Sequence, residues 1–415
     1  MSFKNLLVAQ SGGPTAAINA TLAGVIMEAM QHEEIGRLYG ALNGIEGFLQ
    51  RRIIDLREQL SDPADLELLK ITPSMALGSC RFRLPEIGDD RQIFEEMLHI
   101  FREYEIGYFF YIGGNDSMDT AYKLNAYFKE VGEDIKVIGL PKTIDNDLPE
   151  TDHTPGYGSA AKYIATTMTE IISDCEVYHM PAVTIVEIMG RDAGWLTAAA
   201  AMPHLLGCDA PHLVYLPEAP FDPDQFVADV TELQKDHKAI IIAVSEGIRF
   251  ENGLYVAMDE QSGMTDAFGH KYLAGSGKYL EKLVMREFGC KVRSIELNLP
   301  QRCAGHLLSK TDIEESAMVG RAGVRCALEG HSGQIMIIRR TSNDPYAIEI
   351  GHCDIQDVAN LERNVPDAWI NEAGNGITDE LYDYMEPLIE GELDHPTVNG
   401  LPCHFRFDKT DIVSK

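Results

Sequence analysis

The stretch "PKTIDND" (141–147) places Lys142, Asp145 and Asp147 in one short loop at the end of an apolar run. A carboxylate beside a bound hydroxyl can accept its proton while a lysine offsets phosphate charge as it moves, and phosphoryl transfer needs both. The bland alternative is a surface ion pair, which the buried run before the loop disfavours. In "YIGGNDSMDT" (111–120), Gly113 and Gly114 follow the apolar "GYFFYI", and a helix begins near Asp116. Strand, glycine turn and helix make a phosphate cradle, because the free amides of the helix start face an anion. Asp116 nevertheless puts negative charge inside it. Either no anion binds there, or the ligand is selected by that charge. "SGGPTAAIN" (11–19) sets Gly12 and Gly13 in the same arrangement, and a plain strand-to-helix turn is its competing reading. In "MGRDAGW" (189–195), Gly190 lets backbone approach a ligand and Arg191 offers a fork of donors suited to phosphate.

These stretches all stand directly after short apolar runs. "NLLVAQ", "YFFYI", "KVIGL", "VTIVEIM", "HLVYL", "AIIIAVS", "VRSIEL" and "QIMIIRR" alternate with amphipathic segments. That alternation predicts an α/β fold with mainly parallel sheets covered by helices. Ligands of such sheets sit at the carboxyl ends of the strands, where "PEAPFD" and "SEGI" join the stretches above. After about Gly351 the chain becomes acidic and rich in Asn, Asp and Pro, and it reads as a partly ordered extension packing on the core.

Composition narrows the function classes. The 415 residues are enough for two to three α/β units. A formal net charge of -30 argues against sequence-independent nucleic-acid binding and against anionic membrane surfaces, which both need clustered Lys and Arg. The eight cysteines (80, 175, 208, 290, 303, 326, 353 and 403) form no C-x-x-C pair and read as buried free thiols of a cytoplasmic protein. No run approaches the roughly 18 apolar residues of a membrane span, and "MSFKNLLVAQSGG" lacks a signal-peptide pattern. "GSGKY" (275–279) imitates the end of a nucleotide P-loop, but Tyr272 and Tyr279 occupy positions that need Gly and Ser or Thr. His153, His179 and His306 have no metal spacing and read as structural. Cys80 reads as a small residue beside a phosphate-binding Arg81. No G-x-G-x-x-G supports a dinucleotide site.

Taken together, "SGGPTAAIN", "LGSCRFRL", "GGNDSMDT", "PKTIDNDL", "TDHTPGYGSAAKY", "IVEIMGRDAGWL", "SEG" and "VRSIELNLPQR" resemble the phosphofructokinase family over roughly residues 5–340. Within that family, ATP-using members have glycine where Asp116 and Lys142 stand, and this chain resembles the pyrophosphate-dependent branch at both. The resemblance implies two similar three-layer α/β/α halves with the active site between them: 1–156 plus 302–350 for the phosphate donor, 157–301 for the sugar phosphate, and 351–415 as the extension. It implies that Gly12, Lys142 and Arg81 hold pyrophosphate and that Asp145 is the general base. Asp116 occupies the space of a nucleotide's α-phosphate. It further implies Thr143, Ile144, Asp145, Asp147, Met189, Gly190, Arg191 and Glu246 as sugar-phosphate contacts, with Arg293 and Arg302 gripping the 6-phosphate. Asn115 stands where ATP-dependent relatives have a Mg²⁺-associated Asp, so Mg²⁺ would lean on pyrophosphate, water and Asp145 or Asp147. Family members assemble as homodimers or homotetramers.

Two positions depart from the family pattern. Leu299 replaces a histidine or tyrosine, and Ala182 replaces an arginine lent by a neighbouring subunit. They leave open how tightly the phosphate end of the sugar is held. The expected reaction is phosphoryl transfer from pyrophosphate to the 1-hydroxyl of fructose 6-phosphate, a reversible step of glycolysis. The alternatives are an ATP-dependent kinase, a pyrophosphate-dependent sedoheptulose 7-phosphate kinase, and a catalytically silent sugar-phosphate-binding subunit.

Overall fold

Strands buried on both faces need continuous apolar runs, and such runs build most of this molecule. The computed structural model describes residues 4–177, 179–259 and 275–413, so Tyr272 lies outside the described residues. In chain order the first strands are β1 (Lys4–Gln10), β2 (Ile35–Ala41), β3 (Ile53–Asp55), β4 (Ile106–Gly113) and β5 (Lys136–Pro141). Next come β6 (Ala182–Ile188), β7 (Leu213–Tyr215), β8 (Ala239–Ser245) and β9 (Lys291–Glu296). The hairpin β10 (Gln334–Asn343) and β11 (Tyr346–Asp354) follows. The helices that bear on the site are α1 (Ile18–Ala29), α2 (Asn115–Val131), α3 (Tyr157–Glu176), α4 (Ser276–Phe288) and α5 (Lys310–Leu328).

A seven-stranded sheet runs in the order β11-β10-β5-β4-β1-β2-β3, and a four-stranded sheet runs β7-β8-β6-β9. Only the β2–β3 and β10–β11 pairs within these two sheets are antiparallel. Register aligns the strand ends that carry the motifs. Gln10 pairs Ile112 and Gly113 pairs Pro141, so the turns after β1, β4 and β5 finish at one level. In the second sheet Ile188 pairs Ser245, which levels Met189 with Glu246.

All eight apolar runs form strands. The runs "IGRLYGA" and "YAIEIGHCD" also form strands, although glycines and an arginine interrupt the first and the second alternates buried with exposed positions at a sheet edge. The expected change of character at Gly351 falls inside β11, where Gly351 pairs Ile337. Beyond it, Ile355 and Val358 join the core behind the first sheet, while Val365, Leu381, Met385 and Leu388 join Ile188 and Trp195 in the core of the second. The segment therefore packs on both sheets.

Helices α1 and α5 meet backbone to backbone. A Cβ on Gly24 would lie 2.1 Å from the Ala317 carbonyl oxygen, and one on Gly320 would lie 2.1 Å from that of Thr21. Only glycine fits at either crossing.

Candidate active site

The carboxyl ends of β1, β4, β5, β6 and β8 converge on a cleft of about 470 Å³. Gly12 turns with φ +84° after β1, and its N–H reaches the Cys80 carbonyl at 3.4 Å. The Lys142 N–H donates to the Gly113 carbonyl at 3.0 Å, tying the loop after β5 to the turn after β4. As a result the lysine ammonium sits between the two glycine turns: Nζ is 3.1 Å from where a Cβ would stand on Gly12 and 4.0 Å from one on Gly114. Asp116, in the first turn of α2, lines the same wall with Asn115 and Ser117. Its position also suits the helix N-terminus electrostatically.

Opposite stands the second sheet's contribution. The Ser245 hydroxyl donates to the Gly190 carbonyl, and the Gly190 N–H reaches Glu246 Oε1 at 3.3 Å. The Gln301 side chain accepts from the Met189 N–H at 3.2 Å. These bonds hold the turn after β6 so that Met189, Arg191 and Glu246 face Lys142, Thr143, Asp145 and Asp147 across the cleft.

Burial dominates the electrostatics. It pulls Lys142 down to about 8 despite Asp145, Asp147 and Asp116 nearby. It raises Asp145, whose charged form is partly supported by Lys142, by the Thr143 hydroxyl (3.3 Å), and by Arg191 and Arg302. Burial, with Asp145 and Glu362 as like charges, pushes Asp147 up to about 7. Glu246 is likewise pushed by burial to about 7. Two oxygens, Asn115 Oδ1 and Asp147 Oδ1, are buried with no hydrogen-bond partner.

Of the residues singled out in the sequence, Gly12, Arg81, Asn115, Asp116, Lys142, Thr143, Asp145, Asp147, Met189, Arg191 and Glu246 line the cleft. Arg302 lies beside it, with Nη1 3.5 Å from where a Cβ would stand on Gly13 and its charge felt by Lys142 and Asp145. Three placements differ from expectation. The Ile144 side chain is buried in the core of the second sheet and does not face the cleft. Gly190 uses its N–H and carbonyl to brace the turn, so its backbone polar groups are already paired. Arg293 sits near the start of edge strand β9, paired with Thr184, and lines a separate small cavity with Ala182 and Ala239 at the amino ends of the strands. It is remote from the cleft because the carboxyl ends of the strands, where the cleft lies, and their amino ends are opposite ends of a parallel sheet.

Gly13, flagged with Gly12 in the sequence, also lines the cleft, and further lining residues were not singled out: Phe82, Arg83, Asp192, Asn360 and Glu362. Arg83 was visible two residues beyond Arg81 in "GSCRFRL". Asn360 and Glu362 carried no local signal. The P-loop-like "GSGKY" also has a clear place: the Glu187 carboxylate accepts from the N–H groups of Gly275 (3.1 Å) and Gly277 (2.7 Å), so the start of α4 is filled by the protein's own anion. His153 is buried between Asp152 and Glu315, as a structural histidine would be. Of the eight free cysteines, Cys80 and Cys326 are buried, whereas Cys303 is exposed, so the expectation of uniformly buried thiols does not hold. Among the described residues no group of three or more His, Cys, Asp or Glu could hold a metal by itself, and no helix is long and apolar enough to cross a membrane.

The phosphofructokinase family model matches residues 5–307. The chain belongs to the phosphofructokinase family. This phosphofructokinase chain is 42% identical over 420 residues to the pyrophosphate–fructose 6-phosphate 1-phosphotransferase of Halomonas elongata, covering 100% of this chain and 99% of that protein. It is similar to the crystal structure of a pyrophosphate-dependent phosphofructokinase from Nitrosospira multiformis, with TM-score 0.86, 36% identity, and 99% and 98% of the two chains covered. The corresponding structure from Marinobacter aquaeolei gives TM-score 0.86 at 37% identity, covering 100% of this chain and 98% of that one. Asn360 and Glu362 line the phosphofructokinase cleft from beyond the span that the family model matches.

Proposed function

We propose that this phosphofructokinase transfers a phosphoryl group from pyrophosphate to the 1-hydroxyl of fructose 6-phosphate, reversibly, giving fructose 1,6-bisphosphate and phosphate. The observation that carries the choice of donor is the Lys142 ammonium lodged between two glycine turns with Asp116 on the same wall. A small, highly charged donor fits against that cation. A nucleotide would bring its α-phosphate against a carboxylate, which is selection by repulsion. The names of the relatives support the same donor and sugar.

In this reading Asp145 takes the proton of the 1-hydroxyl as its oxygen attacks the terminal phosphorus, and the bond to the departing phosphate breaks. A carboxylate whose affinity for protons is raised by burial suits that task. Gly12, Lys142 and Arg81 hold the donor. Thr143, Met189, Arg191 and Glu246 orient the sugar, and Arg302 offsets phosphate charge beside Gly13. Arg293 reaches a 6-phosphate only from a second copy of the chain, in keeping with a homodimer or homotetramer. The oxygen donors present fit Mg²⁺: Asn115 Oδ1 and Asp147 Oδ1 are buried and unpartnered, and Mg²⁺ accepts sparse protein ligation when phosphates and water complete its shell. The ion would neutralise charge on the transferring phosphoryl group. Free cysteines and the glycolytic reaction suit a cytoplasmic enzyme.

Initial rates with fructose 6-phosphate and Mg²⁺, comparing pyrophosphate with ATP and then substituting sedoheptulose 7-phosphate, test the reading. Turnover with pyrophosphate and none with ATP is expected. Turnover with ATP alone would overturn the donor assignment.

A further inference from the structure

The segment 360–365 crosses between the two sheets at the cleft. Asn360 donates to Asp119 of α2 at 3.1 Å, Glu362 lines the cleft, and the Val365 N–H donates to Glu218 Oε1 at 2.9 Å. The same Glu218 oxygen accepts from the Gly194 N–H at 2.8 Å, in the stretch that carries Arg191. Arg363 lies at the centre. Its N–H donates to the Asp147 carbonyl at 2.7 Å. Its guanidinium donates to the carbonyls of Thr151 (2.8 Å), Asp152 (2.6 Å) and Asn146 (3.0 Å). The guanidinium also stacks 4.6 Å over the Trp195 ring, while Trp195 Nε1 donates to the Arg363 carbonyl at 3.1 Å.

Those carbonyls belong to one loop, and it is the loop that carries Asp145 and Asp147. The loop is tightly wound: Asn146 is fully buried with a left-handed φ of 56°, and its side chain accepts from the Thr154 N–H at 3.0 Å. Such a turn aims carbonyls inward, where each needs a donor. A planar guanidinium with five N–H donors can serve several at once; an ammonium cannot span them. Arg363 thus fixes the base-bearing loop and, through Trp195 and Glu218, ties it to the half that holds Arg191.

We propose that Arg363 is a positioning residue for the reaction, making the C-terminal segment part of the active site. Arg363 touches no reacting atom; it acts through Asp145 and Asp147, and the inference rests on the phosphotransferase reading above. Small misplacements of a catalytic group cost on the order of 10²-fold in rate, so the effect falls on turnover rather than on substrate binding.

The test uses the full-length enzyme with Arg363→Ala and Arg363→Lys, assayed with varied fructose 6-phosphate and pyrophosphate, alongside urea unfolding. Both variants should lose about tenfold or more in kcat with KM for each substrate little changed. Added guanidinium at non-denaturing concentration should restore part of the Ala variant's kcat but none of the Lys variant's. If Arg363→Ala fails to fold, Arg363→Lys, which keeps the charge, decides by its kcat. A folded variant with wild-type kcat, or one whose loss lies in KM alone, would overturn the proposal. An inactive wild-type enzyme with pyrophosphate would instead refute the donor reading.

Discussion

Lys142 and Asp116 bring opposite charges to neighbouring turns, and neither belongs to the apolar core clusters. Replacing both by glycine should raise the rate with ATP and lower that with pyrophosphate. A double variant that loses pyrophosphate turnover and gains nothing with ATP would sink the account of donor selection by charge and space. Asp145 makes a different demand. Asp145→Ala should leave urea unfolding near wild type while turnover falls 10²- to 10⁴-fold, the usual cost of a lost general base; near-normal turnover would remove Asp145 from that role. All three residues were legible in the sequence because each lies within five residues of the end of an apolar run, so chain order alone put them at a strand's ligand end. Arg363 was not legible. Its partners at Asn146, Thr151 and Asp152 lie far away in sequence and offer backbone carbonyls, which leave no trace in residue types.

At the scale of elements, the α1–α5 crossing sets two opposing effects against each other. Alanine in place of Gly24 favours the helix by about 1 kcal/mol. It also places a Cβ 2.1 Å from the Ala317 carbonyl oxygen, which is backbone and cannot step aside. Overpacking typically costs about 1–3 kcal/mol and here requires two helices to part, so the clash wins. Gly24→Ala should lower the urea midpoint, whereas an unchanged or higher midpoint would contradict the close crossing. Sequence reading found the strands with unbroken apolar runs. It missed β2, β3 and β11, which are stabilised by neighbours and edge position rather than by their own composition. The resemblance assigned Arg293 to the 6-phosphate, but it could not show that β9 starts at the end of its sheet far from this chain's own cleft.

At the scale of the whole molecule, a buried ionic network joins parts distant in the chain. His153 lies 2.8 Å from Asp152 and 2.5 Å from Glu315, and Tyr346 donates to Glu315 at 2.8 Å. Burial opposes the charged ring, but the hydrogen bonds and charges of the two carboxylates prevail and raise His153 from 6.5 to about 9. A raised histidine contributes stability that is complete below about pH 6.5 and is lost as pH rises through about 9, here on the order of 3 kcal/mol. Urea unfolding should therefore show falling stability between pH 6.5 and 8, below the range where the lowered Lys142 titrates and opposes the loss, and Glu315→Gln should flatten that slope. A wild-type profile level across this range would contradict the network.

The sheet order has a consequence for synthesis. The second sheet is contiguous in the chain, from Ala182 to Glu296, but β5 receives its outer neighbour only when Gln334 and its successors arrive. A nascent chain that has already assembled β1 to β5 carries an open edge throughout the production of the second sheet. Unpaired edges of this kind recruit other chains. A chain truncated anywhere between Pro141 and Gln334 would thus keep that edge open and be prone to pairing with its own kind, and crowding on polysomes would sharpen the hazard for chains still being made.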